Sequence, residues 1–511
     1  MAGSQAASVL PLDPAQDWTK ALHGDLARHL EQEALPAYLP LQRWYAAKDK
    51  RLIGVTLQPW TTLNDDVGDY ILATVDLIFA DGASQTYFLP FALRPATPAG
   101  ASSPRAAATV ATVAGEGGEF ALVDAAADPA FAHALLRRLQ LSDDVTGPLR
   151  CEATDALKRI PLPPPTACRR PTEEQSNISF VMGDALLFKL YRRLRPGVQP
   201  EIEVSRFLTE AGFANTPPYL GAIGYAPSSG ADLVPIAAAF GFVANRGNAW
   251  DGLLPLLREE LSMPATADAS GSLDLVRMIG GRTADMHCAF AAATEDPAFA
   301  IETVTADDLR QWSAHALDQA ERAFTAAQSV GGDPNNADSA ADIDALLSKS
   351  GEIRSRIERF AALPPSGVKT RHHGDYHLGQ VLVGDGDVYI IDFEGEPLRS
   401  LEERRAKTDP ARDLAGMLRS FDYLAATATE GTGTRARAQS WREAAEAQFL
   451  QAYAERLKAC GHWPTAAGSS LDRLDLFLFE KALYEISYEA ANRPDWIGIP
   501  VAGALRLLDE A

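Results

Sequence analysis

The period of the apolar residues changes partway along this 511-residue chain, and that change limits the available folds more than any other feature. Up to about residue 245, β-branched and aromatic residues come in short alternating runs. IGVTLQPW, YILATVDLIFA and QTYFLPFAL, with Asp81-Gly82 as a turn between the last two, read as an antiparallel sheet. A helical stretch, WTKALHGDLARHLEQEAL, precedes them and ends at the Pro36 to Pro40 segment. An Ala-, Pro- and Gly-rich patch around 94 to 118 reads as a surface connection, followed by a strand, EFALVDA, and a helix, PAFAHALLRRLQL. From about 272 the spacing is helical, apart from a polar loop at 330 to 340 and a short β insertion at 380 to 393. The pattern predicts an α+β chain with a β-rich part first and a large helical part after it. The run IPLPPPT at 160 to 166 favours extended backbone and is read as a boundary between parts.

Charge narrows the partners. Lys and Arg number 47 against 68 Asp and Glu, a net charge of −21, so the average surface repels phosphate backbones and anionic lipid headgroups. Nucleic acid and membrane surfaces are therefore not expected partners. A nucleotide must instead be held by a local cluster of donors or by a metal. The four cysteines are far apart in sequence and show no C-x-x-C spacing, which predicts neither a zinc site nor a disulfide framework. With no basic, apolar leader and no run of about 18 apolar residues, the expected location is cytoplasmic.

The stretch RHHGDYHLGQVLVGDGDVYIIDFEGEP, residues 371 to 397, carries chemistry. Asp375 follows His373-Gly374, Gln380 comes five residues later, and Asp392 ends the apolar run VYII. Phosphoryl transfer to a hydroxyl needs an aspartate to orient the hydroxyl and accept its proton, with oxygen ligands for Mg²⁺. A hairpin turning at Gly384 to Asp387 would bring these groups together. A second H-G-D, at His23 to Asp25, has Leu30 and Gln42 at the corresponding later positions and is assigned to an exposed helix face. Aspartates that merely cap turns are the bland reading of the first copy, and the three positions in register argue against it.

An ATP site also needs a strand lysine held by a helix carboxylate. Lys189 in LLFKLY fits the first part; of Glu201 and Glu203 on the following helix, Glu203 is expected to be the partner, because it leads into the amphipathic run VSRFL. No G-x-G-x-x-G precedes the lysine. The segment reads EEQSNISFVMGD, so Ser176 and Asn177 are expected to cap phosphates with side chains and backbone N–H groups. The backbone from Phe242 through Val243 to Asn245 is the expected adenine-binding hinge.

The H-G-D-x-H-x-G-Q stretch at 373 to 380, IIDFEGEP at 390 to 397 and PARDLAG at 410 to 416 resemble the aminoglycoside-phosphotransferase-like kinases. LPLQRWYAAKDKR near the N-terminus and KALYEISYEAANRPDWIGIP at 481 to 500 are similar to maltokinase signatures. The resemblance implies a bilobal protein-kinase-like fold with an N-terminal α/β cap. The expected divisions are a cap at 1–98, an intermediate segment and linker at 99–165, a β-rich lobe at 166–245 and a helical lobe at 246–511. It also implies phosphorylation of maltose at its anomeric hydroxyl with ATP and Mg²⁺; trehalose synthase is the partner that a non-catalytic, nucleotide-binding form of the chain would hold. On it, Asp375 is the catalytic base, Gln380 and Asp392 hold metal, Lys189 contacts phosphates, and His373, His377 and Asp413 support the loop. A glucosamine or aminoglycoside kinase, and a nucleotide-binding scaffold without activity, are the alternatives. Glu394 and Glu396 in DFEGEP resemble the maltokinase form of that segment, and Glu394 is expected to contact the sugar.

Near the C-terminus, Lys481, Tyr484 and Tyr488 share a helix face, with Arg493 and Trp496 just beyond. Aromatic planes beside cationic donors suit a disaccharide; a core-packing tyrosine stripe is the other reading, and the resemblance favours the sugar. Trp44 and Lys48 are expected to dock the cap. His287 is expected to be a satisfied helix residue.

Overall fold

A computed structural model describes residues 10–11, 20, 22–66, 68–96, 107–115, 118–141, 148–171, 177–226, 232–263, 271–330, 337–397, 399–429, 434–463 and 473–509. The chain divides into two compact units, one of residues 1–206 and 218–243 and the other of 207–217 and 244–511. The first is β-rich and the second mostly helical, as the change of period requires. Among the described residues no helix is long and apolar enough to cross a membrane.

The first unit holds two sheets. In one, β1 (Leu52–Asp65), β2 (Gly68–Phe79), β3 (Ser84–Phe88), β4 (Phe91–Pro95), β5 (Thr109–Gly115) and β6 (Gly118–Asp124) are antiparallel neighbours in the order β5-β6-β4-β2-β3, with β1 also on β2. The run QTYFLPFAL is thus two strands broken at Leu89-Pro90, since a proline cannot donate to the ladder. The patch expected to be a connection yields a strand from Thr109 onward, because VATVA pairs with the strand that follows it. Helix α1 (Pro129–Gln140), capped by Asp128, buries Phe131, Leu135 and Leu139. The second sheet runs β7 (Leu149–Ala153), β12 (Tyr219–Tyr225), β13 (Val234–Gly241), β10 (Leu186–Leu190), β9 (Ile178–Met182) and β8 (Cys168–Arg169). The proline run lies inside this unit, with Pro163 against the tight turn at Gly183. Strand β11 (Arg193–Leu194) leaves the second sheet and pairs with β3, joining the two sheets.

That join is held by charge. Arg192 is fully buried and donates to both Asp124 oxygens, at 3.0 and 2.7 Å. Asp124 also accepts from Tyr38 Oη (3.1 Å), and the Arg192 guanidinium stacks 3.9 Å from the ring centroid of Trp44. Trp44 therefore docks the N-terminal segment as expected, whereas Lys48 is exposed.

In the second unit, α4 (Gly271–Phe290) packs along α9 (Arg435–Lys458), and α5 (Ala306–Val330) and α8 (Ala411–Ala428) pack on α10 (Leu474–Asn492). In chain order α2 (Pro200–Glu210), which spans the division between units, and α3 (Ala249–Ser262) precede α4. Helices α6 (Ala337–Ser348), α7 (Ser350–Ala361) and α11 (Gly498–Asp509) also belong to this unit. Part of the polar loop expected at 330 to 340, residues 331–336, lies outside the described residues. The expectation that no disulfide forms is corrected: Cys288, near the end of α4, is bonded to Cys460, just past α9, with their Cα atoms 6.2 Å apart. Packing of α4 on α9 brings together residues 172 positions apart, a proximity that local spacing does not encode.

Two stability outcomes follow. Arg192→Met should destabilise the first unit by about 3–5 kcal/mol in denaturant unfolding, because it strands a buried carboxylate, and adding Asp124→Asn should restore part of the loss. Reducing Cys288–Cys460 should cost roughly 2–4 kcal/mol, read as a lowered melting temperature that Cys460→Ser reproduces without reductant.

Candidate active site

The loop from His372 to His377 is fixed before any ligand enters. Gly374 takes φ 86°, a left-handed conformation in which a side chain is strained, so the chain turns sharply between His373 and Asp375. The turn presents two adjacent amides to one carboxylate: Asp413, on the first turn of α8, accepts from His373 N–H (2.7 Å) and Gly374 N–H (3.0 Å). Asp413 does not act as a cap of its own helix, since its oxygens accept from the loop. His287 Nε2–H donates to the same carboxylate at 3.1 Å, while its Nδ1 accepts from Tyr453 Oη at 2.9 Å. Burial alone would raise the Asp413 pKa, but the His287 hydrogen bond and the neighbouring imidazoles outweigh it and hold the carboxyl well below its usual range. His287 is a satisfied helix residue, as expected, and it braces the brace. Gly416 lets α8 approach: a Cβ there would sit 2.5 Å from the Tyr376 carbonyl oxygen.

The histidines around Asp375 have separate tasks. His373 Nε2–H donates to the Ile391 carbonyl (2.8 Å), which fixes Nδ1 as acceptor for Asp375 N–H (3.3 Å). The imidazole thus ties the loop to the strand leading into Asp392. His377 Nδ1 accepts Gly379 N–H at 3.0 Å and caps the turn Leu378–Gln380. His372 is pushed down to about 3 by burial and is neutral.

The β insertion forms the expected hairpin, β14 (Val381–Val383) on β15 (Val388–Ile390), with Val381 opposite Ile390. It brings Gln380 Nε2 to 3.2 Å from Asp392 Oδ2. Asp392 has φ 67°, a strained left-handed conformation for a non-glycine residue, of the kind found where a side chain is aimed for a purpose. The Asp392 carboxylate and, after a flip of the amide, the Gln380 carbonyl oxygen are hard donors of the kind that fit Mg²⁺.

Asp375 lines a cavity together with Glu396, Arg399, Glu480, Lys481 and Tyr484. Lys481 Nζ lies 2.9 Å from Glu396 Oε1 and 3.6 Å from Asp375 Oδ1, and 5.1 Å from the Tyr484 ring centroid. Burial would push Lys481 down, but Glu396, Asp375 and Glu485 raise it above the usual lysine range, so it is charged. Tyr484 and Tyr488 stack at 6.2 Å on one helix face, yet Tyr488 is 42% exposed. Arg493 is engaged by Glu489 (2.6 Å) and stacks on Trp496 (4.6 Å). Of the expected sugar-binding residues the cavity lining includes Lys481 and Tyr484; Tyr488, Arg493 and Glu394 are not among its walls. Glu396, Arg399, Arg412 and Glu480 line it without having been expected there.

In the first unit, Lys189 on β10 donates to Glu201 at 2.8 Å, and Tyr191 Oη donates to the other Glu201 oxygen at 2.7 Å. This corrects the expected pairing with Glu203. Residues 189 and 191 alternate onto one side of the chain and converge on one carboxylate. Ser176 lies outside the described residues; Asn177 precedes β9. Phe242 N–H bonds to the Ala185 carbonyl, Val243 ends the first unit, and Asn245 in the second caps Gly247 N–H (3.1 Å).

Residues 38–128 match the maltokinase N-terminal cap domain and residues 167–468 match the phosphotransferase enzyme family. A glucosamine kinase of Mycolicibacterium smegmatis is 29% identical over 344 residues, 66% of this chain and 79% of that protein. One of Streptacidiphilus jiangxiensis is 27% identical over 351 residues, 66% and 72%. Among solved structures, a glucosamine kinase superposes with TM-score 0.67 at 20% identity, covering 92% of this chain and 97% of that one; one in complex with glucosamine, ADP and inorganic phosphate gives 0.66 at 21%, covering 92% and 98%. These superpositions establish a shared kinase-like fold, and with the family match spanning more than half of its length, the chain belongs to the phosphotransferase enzyme family.

Proposed function

We propose that this protein transfers the γ-phosphoryl group of ATP to the anomeric hydroxyl of maltose, giving maltose 1-phosphate. The observation that carries transfer to a hydroxyl is Asp375, presented to a cavity by a loop whose two amides are clamped by Asp413. The match of residues 38–128 to a maltokinase cap supports maltose as acceptor. In this reading Asp375 accepts the hydroxyl proton as the sugar oxygen bonds to the γ-phosphorus and the bond to the β,γ-bridging oxygen breaks, releasing ADP. Lys189, oriented by Glu201, contacts the phosphates; Ser176 and Asn177 cap them, and the backbone at Val243 and Asn245 holds adenine. Gln380 and Asp392 hold Mg²⁺, which neutralises phosphate charge when bound. Lys481 and Tyr484 hold the sugar; Tyr488, Arg493 and Glu394 extend the contact outward. The same reading makes trehalose synthase the candidate partner.

A second reading, a glucosamine kinase, is favoured by the names of both curated relatives. A coupled assay of ADP release over a sugar panel with Mg·ATP separates the two: maltose should give the highest kcat/KM, and glucosamine outcompeting it would overturn the proposal.

Asp375→Asn should lower kcat with maltose by about 10²–10⁴-fold while leaving ATP binding by calorimetry near that of the parent. Glu201→Gln should raise the KM for ATP by about tenfold, whereas Glu203→Gln should change it less; the reverse ranking would refute the pairing read here.

A further inference from the structure

Every carboxylate lining the acceptor cavity is already engaged. Glu480 accepts both Arg412 nitrogens, at 2.6 and 2.9 Å, and an Arg399 nitrogen at 3.2 Å. Asp413 is filled by the loop amides and His287. Glu396 accepts from Arg399 and from Lys481. Asp375, the remaining one, has the Lys481 ammonium at 3.6 Å. Arg399 alone already neutralises Glu396, so Lys481 is a second cation on that carboxylate, turned toward the group that must meet the acceptor.

We propose that Lys481, positioned by Glu396, reads the charge of the acceptor, admitting neutral sugars and rejecting sugars that carry an ammonium beside the reacting hydroxyl. The proposal rests on the reading of this cavity as the acceptor site of a sugar kinase, and deepens it. An ammonium brought beside Asp375 would meet Lys481 across a few ångströms of partly desolvated space, where like charges repel far more than in water. With Asp375 committed to the reacting hydroxyl, it would also find no other lining carboxylate free to receive it, since removing Glu396 or Glu480 from its partners would leave buried Arg or Lys charge uncompensated. A neutral hydroxyl in the same place can accept from Lys481 and donate to Asp375. Burial does not discharge the lysine, because the surrounding carboxylates hold its pKa above the ordinary value. Tyr484 beneath the ammonium restricts where it can swing.

The test compares kcat/KM for glucose and glucosamine, a pair differing at one substituent, below and above the glucosamine amine pKa, with N-acetylglucosamine as a neutral control for size and maltose as the reference acceptor. The unmodified protein should prefer glucose below the amine pKa and lose that preference above it. Lys481→Gln should lower the glucose-to-glucosamine ratio by about tenfold or more even as it slows maltose turnover, and Lys481→Arg should keep the ratio. A ratio indifferent to Lys481→Gln, or a glucosamine penalty that survives deprotonation of its amine, would overturn the proposal alone. Absence of turnover with any sugar would overturn the kinase reading beneath it as well. Should Lys481→Gln fail to fold, the Lys481→Arg ratio and the pH dependence in the unmodified protein decide the matter.

Discussion

The helical unit is organised around one carboxylate. Asp413 receives two consecutive backbone amides and an imidazole, and each of those donors is itself fixed: Gly374 by a conformation that a side chain would strain, His287 by Tyr453. Removing the carboxylate would leave buried N–H groups without acceptors, a cost greater than the net worth of the bonds themselves. The helix bearing Asp413 can come close enough only because residue 416 has no side chain. His373 then carries the same rigidity across to Ile391, one residue before Asp392. The positions of Asp375 and Asp392 are thus set by the protein rather than by a ligand, which is what electrostatic preorganisation requires.

The β-rich unit has a comparable anchor of different origin. Arg192 belongs to the part matching the phosphotransferase family, while Trp44 and Asp124 belong to the part matching the cap domain. A buried Arg–Asp pair adds little stability over a well-packed apolar substitute, because both charges must be desolvated. What it adds is uniqueness, since an alternative docking would strand either charge. Arg192 also lies three residues beyond Lys189 and one beyond Tyr191, both of which converge on Glu201. The cap therefore fixes the end of the strand that presents the lysine.

Much of this was legible in the sequence, for a reason that also explains the failures. The strands, the hairpin at 381–390 and the Asp375, Gln380 and Asp392 spacing are local, and local pattern encodes them. The choice between Glu201 and Glu203 depends on how a helix is rotated against a strand, which amphipathicity alone left open; the tyrosine two residues after Lys189 was the overlooked signal. Cys288 and Cys460 meet through the packing of two long helices, and no spacing rule reaches across 172 residues. Glu396 and Glu480 were missed as cavity residues because a paired carboxylate in sequence looks like any exposed one.

The net charge of −21 bears differently on the cavity than on the surface. Several cations are drawn inward: Arg192, Arg371 and Arg419 are among the largest fully buried side chains, and Arg473 is paired with buried Asp409. Around the cavity Lys481, Arg399 and Arg412 stand against Asp375, Glu396, Glu480 and Asp413, three cations against four carboxylates, so most of its charge is paired locally inside an acidic molecule. Charges on the acidic exterior are screened beyond about 10 Å at moderate salt, whereas close pairs out of bulk water are screened much less. The potential inside the cavity is therefore set by these few fixed pairs and not by the field of the whole chain. A cavity potential of local origin and a surface that repels polyanions are thus compatible in one molecule.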